Sequence, residues 1–229
     1  MIYSILQRIF KKQNKHKLVL VNEKPTIEQN AIYAVTHFCR HDFPYACQFI
    51  GERVYVLVGK QRLDIASRVG LILNGTIWVD RKDKLKKRKA MQSLFQVLQK
   101  GKNICIFPEG TWNMTQSKPI LPLYWGIIEL AKQSGNPIIP LALEYRGTNC
   151  FAQFGNAILV DKDADKAELI MQLEDELVRI KWEMWELFPV LHREQKLLEE
   201  WKEEMDFRIA DFPALDLEYE LSCVRKSYS

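Results

Sequence analysis

A chain of 229 residues, 47% of them hydrophobic, holds apolar material for one substantial core, and no run approaches the roughly 18 uninterrupted apolar residues of a membrane-spanning helix. Its net charge of +4 hides a division, for residues 1–160 carry 23 Lys/Arg against 10 Asp/Glu and residues 161–229 carry 10 against 19. A basic body without a nucleic-acid motif points away from DNA and RNA and towards phospholipid head groups, a coenzyme phosphate or an acidic carrier protein, while 5 scattered cysteines without zinc-ligand spacing exclude a disulfide framework and fit a reducing compartment.

Residues 1–13 predict an amphipathic helix. Ile2, Ile5, Leu6, Ile9 and Phe10 recur on one face, Arg8, Lys11 and Lys12 lie outside that stripe, and Lys15 and Lys17 follow it. The pattern suits a helix lying in an anionic membrane interface or one docked on the protein's own core. No apolar stretch with a small-residue cleavage site marks a secretory signal, so the expected location is cytoplasmic, peripheral on the cytoplasmic face of the membrane.

An alternation of strand-like and helix-like pieces comes next. Residues 31–36, 54–58, 76–80, 104–107 and 138–145 read as short buried strands, with a further candidate at 157–160. Residues 42–50, 65–73, 85–98 and 121–132 read as helices, with Asp42 as an N-cap and Gly101 and Gly135 as terminators. The order predicts an α/β fold with a central mixed, largely parallel sheet flanked by helices. From 163 the chain becomes charged and aromatic-rich, with helical patterns at 163–188 and 192–207 separated by Pro189. The expected organisation is a membrane-associating segment over 1–22, an α/β core over 23–162 and a helical C-terminal extension over 163–229.

Two segments carry the chemistry. Thr36-His37-Phe38-Cys39-Arg40-His41-Asp42 follows an apolar strand, and Phe107-Pro108-Glu109-Gly110-Thr111 ends another. A hydroxyl attacks a thioester poorly unless its proton leaves as the bond forms, and an imidazole suits that task. A carboxylate on the far ring nitrogen fixes the tautomer and stabilises the imidazolium. Asp42 can serve His37 in this way only if the chain bends between them, because a five-residue offset on one helix rotates about 140°. His41, beside Asp42, is expected to diverge from it. Glu109, at a strand's carboxyl end, is placed to meet a polar substrate. Gly75 to Arg81 adds a strand ending in a charge, with Arg81 suited to clamp a phosphate. Residues 137–141 add an apolar wall with Pro137 and Pro140. The rival nucleophile is Cys39, and the cluster of Lys82, Lys84, Lys86, Lys87, Arg88 and Lys89 reads as a solvated helix face or a docking surface.

These four elements, in this order and spacing, resemble the glycerolipid acyltransferase family, whose best-known members are the lysophosphatidate acyltransferases. The resemblance covers roughly residues 30–145. It implies His37 and Asp42 as the catalytic pair and Arg81, Glu109, Gly110 and Thr111 on the acceptor side. It implies acyl transfer without metal, cofactor or covalent enzyme intermediate, with acyl-CoA or acyl carrier protein as co-substrate. It also implies an α/β fold at a membrane surface. The family turn usually continues with arginine and serine, where this chain has Trp112 and Asn113, and a downstream lysine is replaced within Leu123-Tyr124-Trp125-Gly126. Aromatic rings in place of cations suit a polyol or glycan acceptor better than a phosphate. The expected activity is therefore acyl transfer to 1-acyl-glycerol-3-phosphate or to another glycerol- or glycan-containing acceptor. A membrane-surface binding module is the non-enzymatic alternative.

Overall fold

The computed structural model describes residues 8, 10–12, 14–59, 65–80, 82–115, 117–189 and 194–211, apart from the side chains of 65–67 and 211. Strands and helices alternate through β1 (Lys17–Leu20), β2 (Ile32–Val35), α1 (Asp42–Ile50), β3 (Val54–Gly59), α2 (Ile65–Asn74), β4 (Ile77–Val79) and α3 (Lys84–Gln99). They continue through β5 (Asn103–Ile106), α4 (Gly126–Ser134), β6 (Ile138–Arg146) and β7 (Asn149–Phe154) to the longer helices α5 (Lys166–Glu186) and α6 (Gln195–Asp211). The strands form one sheet in the order β1-β7-β6-β2-β5-β3-β4. From β6 to β4 every pairing is parallel, whereas β7 folds back antiparallel on β6 and β1 lies parallel to β7. This is the expected α/β class with a mixed, largely parallel sheet.

Burial explains the central strand. All four residues of β2 are buried, because it is covered on both faces. Ile32 and Ala34 join a core with Leu94 and Leu98 of α3, Ile127 and Leu130 of α4, and Leu173 and Leu177 of α5. Tyr33 and Val35 point the other way, into a core with Phe43, Ala46 and Cys47 of α1. The parallel strands place their carboxyl ends on one rim. His37 therefore follows β2, Phe107 to Thr111 follow β5, Tyr145 lies near the end of β6, and Asp80, Lys82 and Asp83 follow β4 on the same side of the molecule.

Several local expectations change. His41, not Asp42, holds the N-cap position of α1 and makes no side-chain cap bond. Asp42 is the first helical residue, and its carboxylate turns back to the N–H groups of Phe38 and Cys39. The helix expected from 121 begins at Gly126. Leu121 N–H is taken by Glu109 and Tyr124 N–H by the Pro108 carbonyl, with Pro122 between them, so 121–124 are held extended against the turn after β5. The 157–160 candidate reduces to a single bridge between Ile158 and Ile138. β1 and β7 were not foreseen. Of the amphipathic helix expected over 1–13, most residues lie outside the described ones. Arg8 and 10–12 are helical, with Phe10 buried in the α1-side core and Arg8, Lys11 and Lys12 exposed. No described helix is long and apolar enough to cross a membrane.

Candidate active site

His37 is gripped along its main chain before its ring is considered. Its N–H donates to Glu109 Oε1 at 2.7 Å, and its carbonyl accepts from Asn113 N–H at 2.7 Å. Thr36, just before it, keeps β2 in the sheet by bonding the Leu141 carbonyl through its N–H, and its Oγ1 accepts from Leu143 N–H. The imidazole stacks on Phe107 with centroids 4.2 Å apart and meets the Trp112 ring edge-on at 6.1 Å. Its Nδ1 lies 2.8 Å from Asp42 Oδ2. Nε2 has no partner among the described residues, and the side chain is 20% exposed.

Asp42 is fully buried and surrounded by donors. Oδ2 also accepts from the N–H groups of Phe38 and Cys39, and Oδ1 accepts from the Tyr145 hydroxyl at 2.5 Å, with Cys39 Sγ 3.6 Å away. Burial by itself would raise the pKa of this carboxyl. The bonds and charge from His37, with those from Tyr145 and Phe38, outweigh it and hold Asp42 below the usual carboxylate range. The bend anticipated between His37 and Asp42 is thus made by the backbone of Phe38 and Cys39 wrapping around the carboxylate they bind. Tyr145, in turn, is held above its ordinary pKa by burial and by the Asp42 charge, so it remains a phenol and a donor.

Glu109 is 1% exposed, and both its oxygens are engaged within the protein: Oε1 by His37 N–H and Oε2 by Leu121 N–H at 2.7 Å. Burial pushes its carboxyl up to about 8, against the two backbone bonds that act to lower it. Gly110 sits at φ 71°, in the left-handed region that favours glycine, and its N–H bonds the Phe107 carbonyl at 3.0 Å to close the turn. Thr111 follows, half-buried. Trp112 is 7% exposed against the His37 ring, and Asn113 closes the next loop by donating to the Lys118 carbonyl and accepting from Thr115. Arg81 lies outside the described residues. The structure therefore brings His37, Asp42, Glu109, Gly110 and Thr111 to one cluster.

The rivals fare differently. His41 stacks on Tyr45 at 5.7 Å, away from the Asp42 carboxylate, and burial with the charges of Lys15 and Arg40 lowers its pKa. Burial and the neighbouring Asp42 charge raise the Cys39 thiol, and Cys105 is raised too, so neither is a poised thiolate. No group of His, Cys, Asp and Glu among the described residues is arranged to hold a metal ion. A shallow concavity bounded by Asn156, Ile158, Met171, Glu176 and Arg179 shares no residue with this cluster. Sequence reasoning missed Tyr145, Phe107 as a stacking partner and Asn113. Only the position of Tyr145 at the carboxyl end of the strand beside β2 could have signalled it.

A model of the acyltransferase family matches residues 10–144. The fold is similar to the crystal structure of the 1-acyl-sn-glycerophosphate (LPA) acyltransferase PlsC from Thermotoga maritima, with a TM-score of 0.65 and 17% sequence identity, covering 82% of this chain and 80% of that one. No curated protein matches the chain in sequence. With the family model spanning more than half of its length, including both motif segments, this chain belongs to the acyltransferase family.

Proposed function

We propose that the protein transfers a fatty acyl group from an acyl thioester, acyl-CoA or acyl carrier protein, to a hydroxyl of a glycerolipid-type acceptor such as 1-acyl-glycerol-3-phosphate. The observation that carries this reading is the 2.8 Å contact of His37 Nδ1 with a buried, donor-saturated Asp42, made by a ring whose Nε2 stays unengaged. In this reading Nε2 removes the acceptor proton as the hydroxyl oxygen bonds the thioester carbonyl carbon. The tetrahedral intermediate then expels the thiolate, and the imidazolium returns the proton to sulfur, so one ester and one free thiol leave. Asp42 stabilises the imidazolium between those steps. Gly110 N–H is spent on the turn, and the Thr111 N–H, which has no partner among the described residues, is the proposed donor for the oxyanion. Arg81 and Thr111 meet the acceptor, and Glu109 holds the turn that presents them. The site works at an anionic membrane surface, peripheral on the cytoplasmic face.

The test is His37→Ala. Turnover is expected to fall about 10²–10⁴-fold, with the melting temperature and vesicle binding retained. Unimpaired turnover would remove the assignment. A protein whose role is binding alone would keep its whole activity in this variant.

A glycerol- or glycan-containing acceptor without phosphate is the second reading. It is favoured by Trp112 and Asn113, whose side chains put no cation beside His37 and are used up inside the loop. Parallel rates on lysophosphatidate and on neutral monoacylglycerol or glycan acceptors separate the two.

A further inference from the structure

The last helix brings a cation to the His37 rim from outside the segment that matches the family. α6 begins at Gln195, well beyond residue 144, where that match ends. Met205 is buried, and Trp201 and Arg208 stand four residues before it and three after, so one face of α6 is turned to the body of the protein. Arg208 reaches Phe38, the neighbour of His37, with its guanidinium carbon 3.3 Å from the ring centroid. The same ring stacks on Tyr145 at 5.2 Å. Phe38 therefore links the guanidinium to both members of the His37–Asp42 pair, to the first by one peptide unit and to the second through Tyr145.

Arg208 is not used up there. Its side chain is 11% exposed, and Glu204 is its one anionic partner among the described residues, held through Nη2. At so short a separation the fork lies along the Phe38 ring rather than end-on, so its remaining donors point past the ring edge. Lys15, just before β1, extends over Phe207 of α6 at 5.6 Å while its N–H bonds the Tyr45 hydroxyl at 3.1 Å. His16 meets Tyr145 edge-on at 5.1 Å. Burial lowers the pKa of His16, and the charges of Lys15 and Arg208 lower it further against Glu204. Burial, Lys15 and Arg40 act on His41 in the same sense. Lys15, Arg40 and Arg208 thus act together on this corner of the rim. They face Glu204 and a buried Asp42 whose oxygens are already spent on internal donors.

We infer that Arg208, with Lys15 beside it, receives a phosphate group of the substrate held at His37. A planar fork with donors to spare, in a cationic corner, is the arrangement that phosphate oxygens satisfy. It supplies from the C-terminal helix the cationic contact that Trp112 and Asn113 do not supply from the turn after β5. In 1-acyl-glycerol-3-phosphate the reacting hydroxyl and the phosphate are borne on adjacent carbons, so a phosphate held over Phe38 leaves that hydroxyl beside the His37 ring. Arg208 is on this account a specificity-determining residue, and the inference rests on the transfer reaction proposed above.

In Arg208→Gln the preference in kcat/KM for lysophosphatidate over monoacylglycerol is expected to fall about 10–100-fold, the effect of losing hydrogen bonds to a charged group, and to fall through KM. Arg208→Lys, which keeps the charge without the fork, is expected to recover part of it. A fall in the preference for acyl-CoA over acyl-pantetheine instead would support the site and assign the phosphate to the donor. Both preferences within about twofold of the parent would overturn the assignment. Calorimetry with inorganic phosphate reads the full chain without turnover. Binding is expected, about 10–100-fold weaker in Arg208→Gln, and up to about fivefold tighter in Glu204→Gln, where the fork is released from its carboxylate. Unchanged or weaker binding in Glu204→Gln would make Arg208 a clamp for α6 and nothing more. A parent that acylates no acceptor would remove the proposed reaction, and phosphate binding would then decide this inference alone: absence in the parent, or equality in Arg208→Gln, would overturn it.

Discussion

At the scale of single residues, the site turns on how a buried carboxylate is kept charged. Asp42 has no water to solvate it, so each donor that points at it substitutes for solvent. Three nitrogen donors and the Cys39 thiol come from the adjacent loop, and the Tyr145 hydroxyl comes from β6, the strand beside β2. Tyr145 touches no reacting atom and acts through Asp42. Tyr145→Phe keeps the ring that stacks on Phe38 and deletes only the hydroxyl. The expected result is a kcat lower by about 3–10-fold with KM unchanged, since a hydrogen bond to a charged group contributes about 1.5–3 kcal/mol and only part of it reaches the transition state. Without that donor Asp42 takes up a proton more readily. The acid limb of the kcat–pH profile should therefore move to higher pH, a change that a purely structural role would not produce. The groups facing Tyr145 are Asp42, Cys39, Cys150 and His16, and none of them is altered by the substitution.

At the scale of elements, Glu109 joins the loop after β2 to the segment leading into α4, one backbone N–H from each side. Glu109→Gln keeps the shape and neutrality of the protonated carboxyl and is expected to cost little at neutral pH, whereas Glu109→Ala leaves two buried N–H groups unpaired and is expected to cost about 1–3 kcal/mol. The pH dependence carries a definite sign. The folded carboxyl titrates at about 8 and the unfolded one near 4.5, so between those values the folded state binds more protons. Stability from this group is full below the unfolded value and is lost as pH rises through the folded one. The urea midpoint of the parent should therefore decline relative to Glu109→Gln as pH climbs across that window, and parallel curves would refute it. Sequence periodicity showed which elements exist but not this joint. The 121–132 pattern reads as one helix because Leu121, Leu123, Ile127 and Ile128 recur suitably. A side chain twelve residues upstream captures the N–H that a helix would have left for solvent or a cap. β7 escaped notice because polar Gln153, buried on the face opposite Ala152 and Phe154, interrupts its apolar run, and its pairing partner is identified only once β6 is placed.

At the scale of the whole molecule, the alternation of short apolar runs and helical patterns specified the class, and the strand-end positions of His37 and Glu109 specified a shared rim. What local spacing could not carry was anything decided by three-dimensional neighbours. His37 with Asp42 was legible because five residues of chain tie them together. Tyr145, more than a hundred residues away, was not. The acidic C-terminal part likewise reads as a charged extension, yet its α5 contributes Leu169, Leu173, Leu177, Ile180 and Met184 to the same core as β2, and Arg208 of α6 lies over Phe38 beside the site.

The grip on His37 has a kinetic corollary. Main-chain N–H, main-chain carbonyl and Nδ1 are all committed, and two aromatic rings hem in the plane of the imidazole, so the ring has no room to flip or swing. A proton collected at Nε2 must be handed back from that same atom. Since neither Cys39 nor Cys105 is a poised thiolate, the proposed reaction is expected to hold acceptor hydroxyl and departing sulfur together within reach of that atom, without an acylated enzyme. Double-reciprocal plots at several fixed donor concentrations should intersect, and a parallel family would show that the two half-reactions are separable.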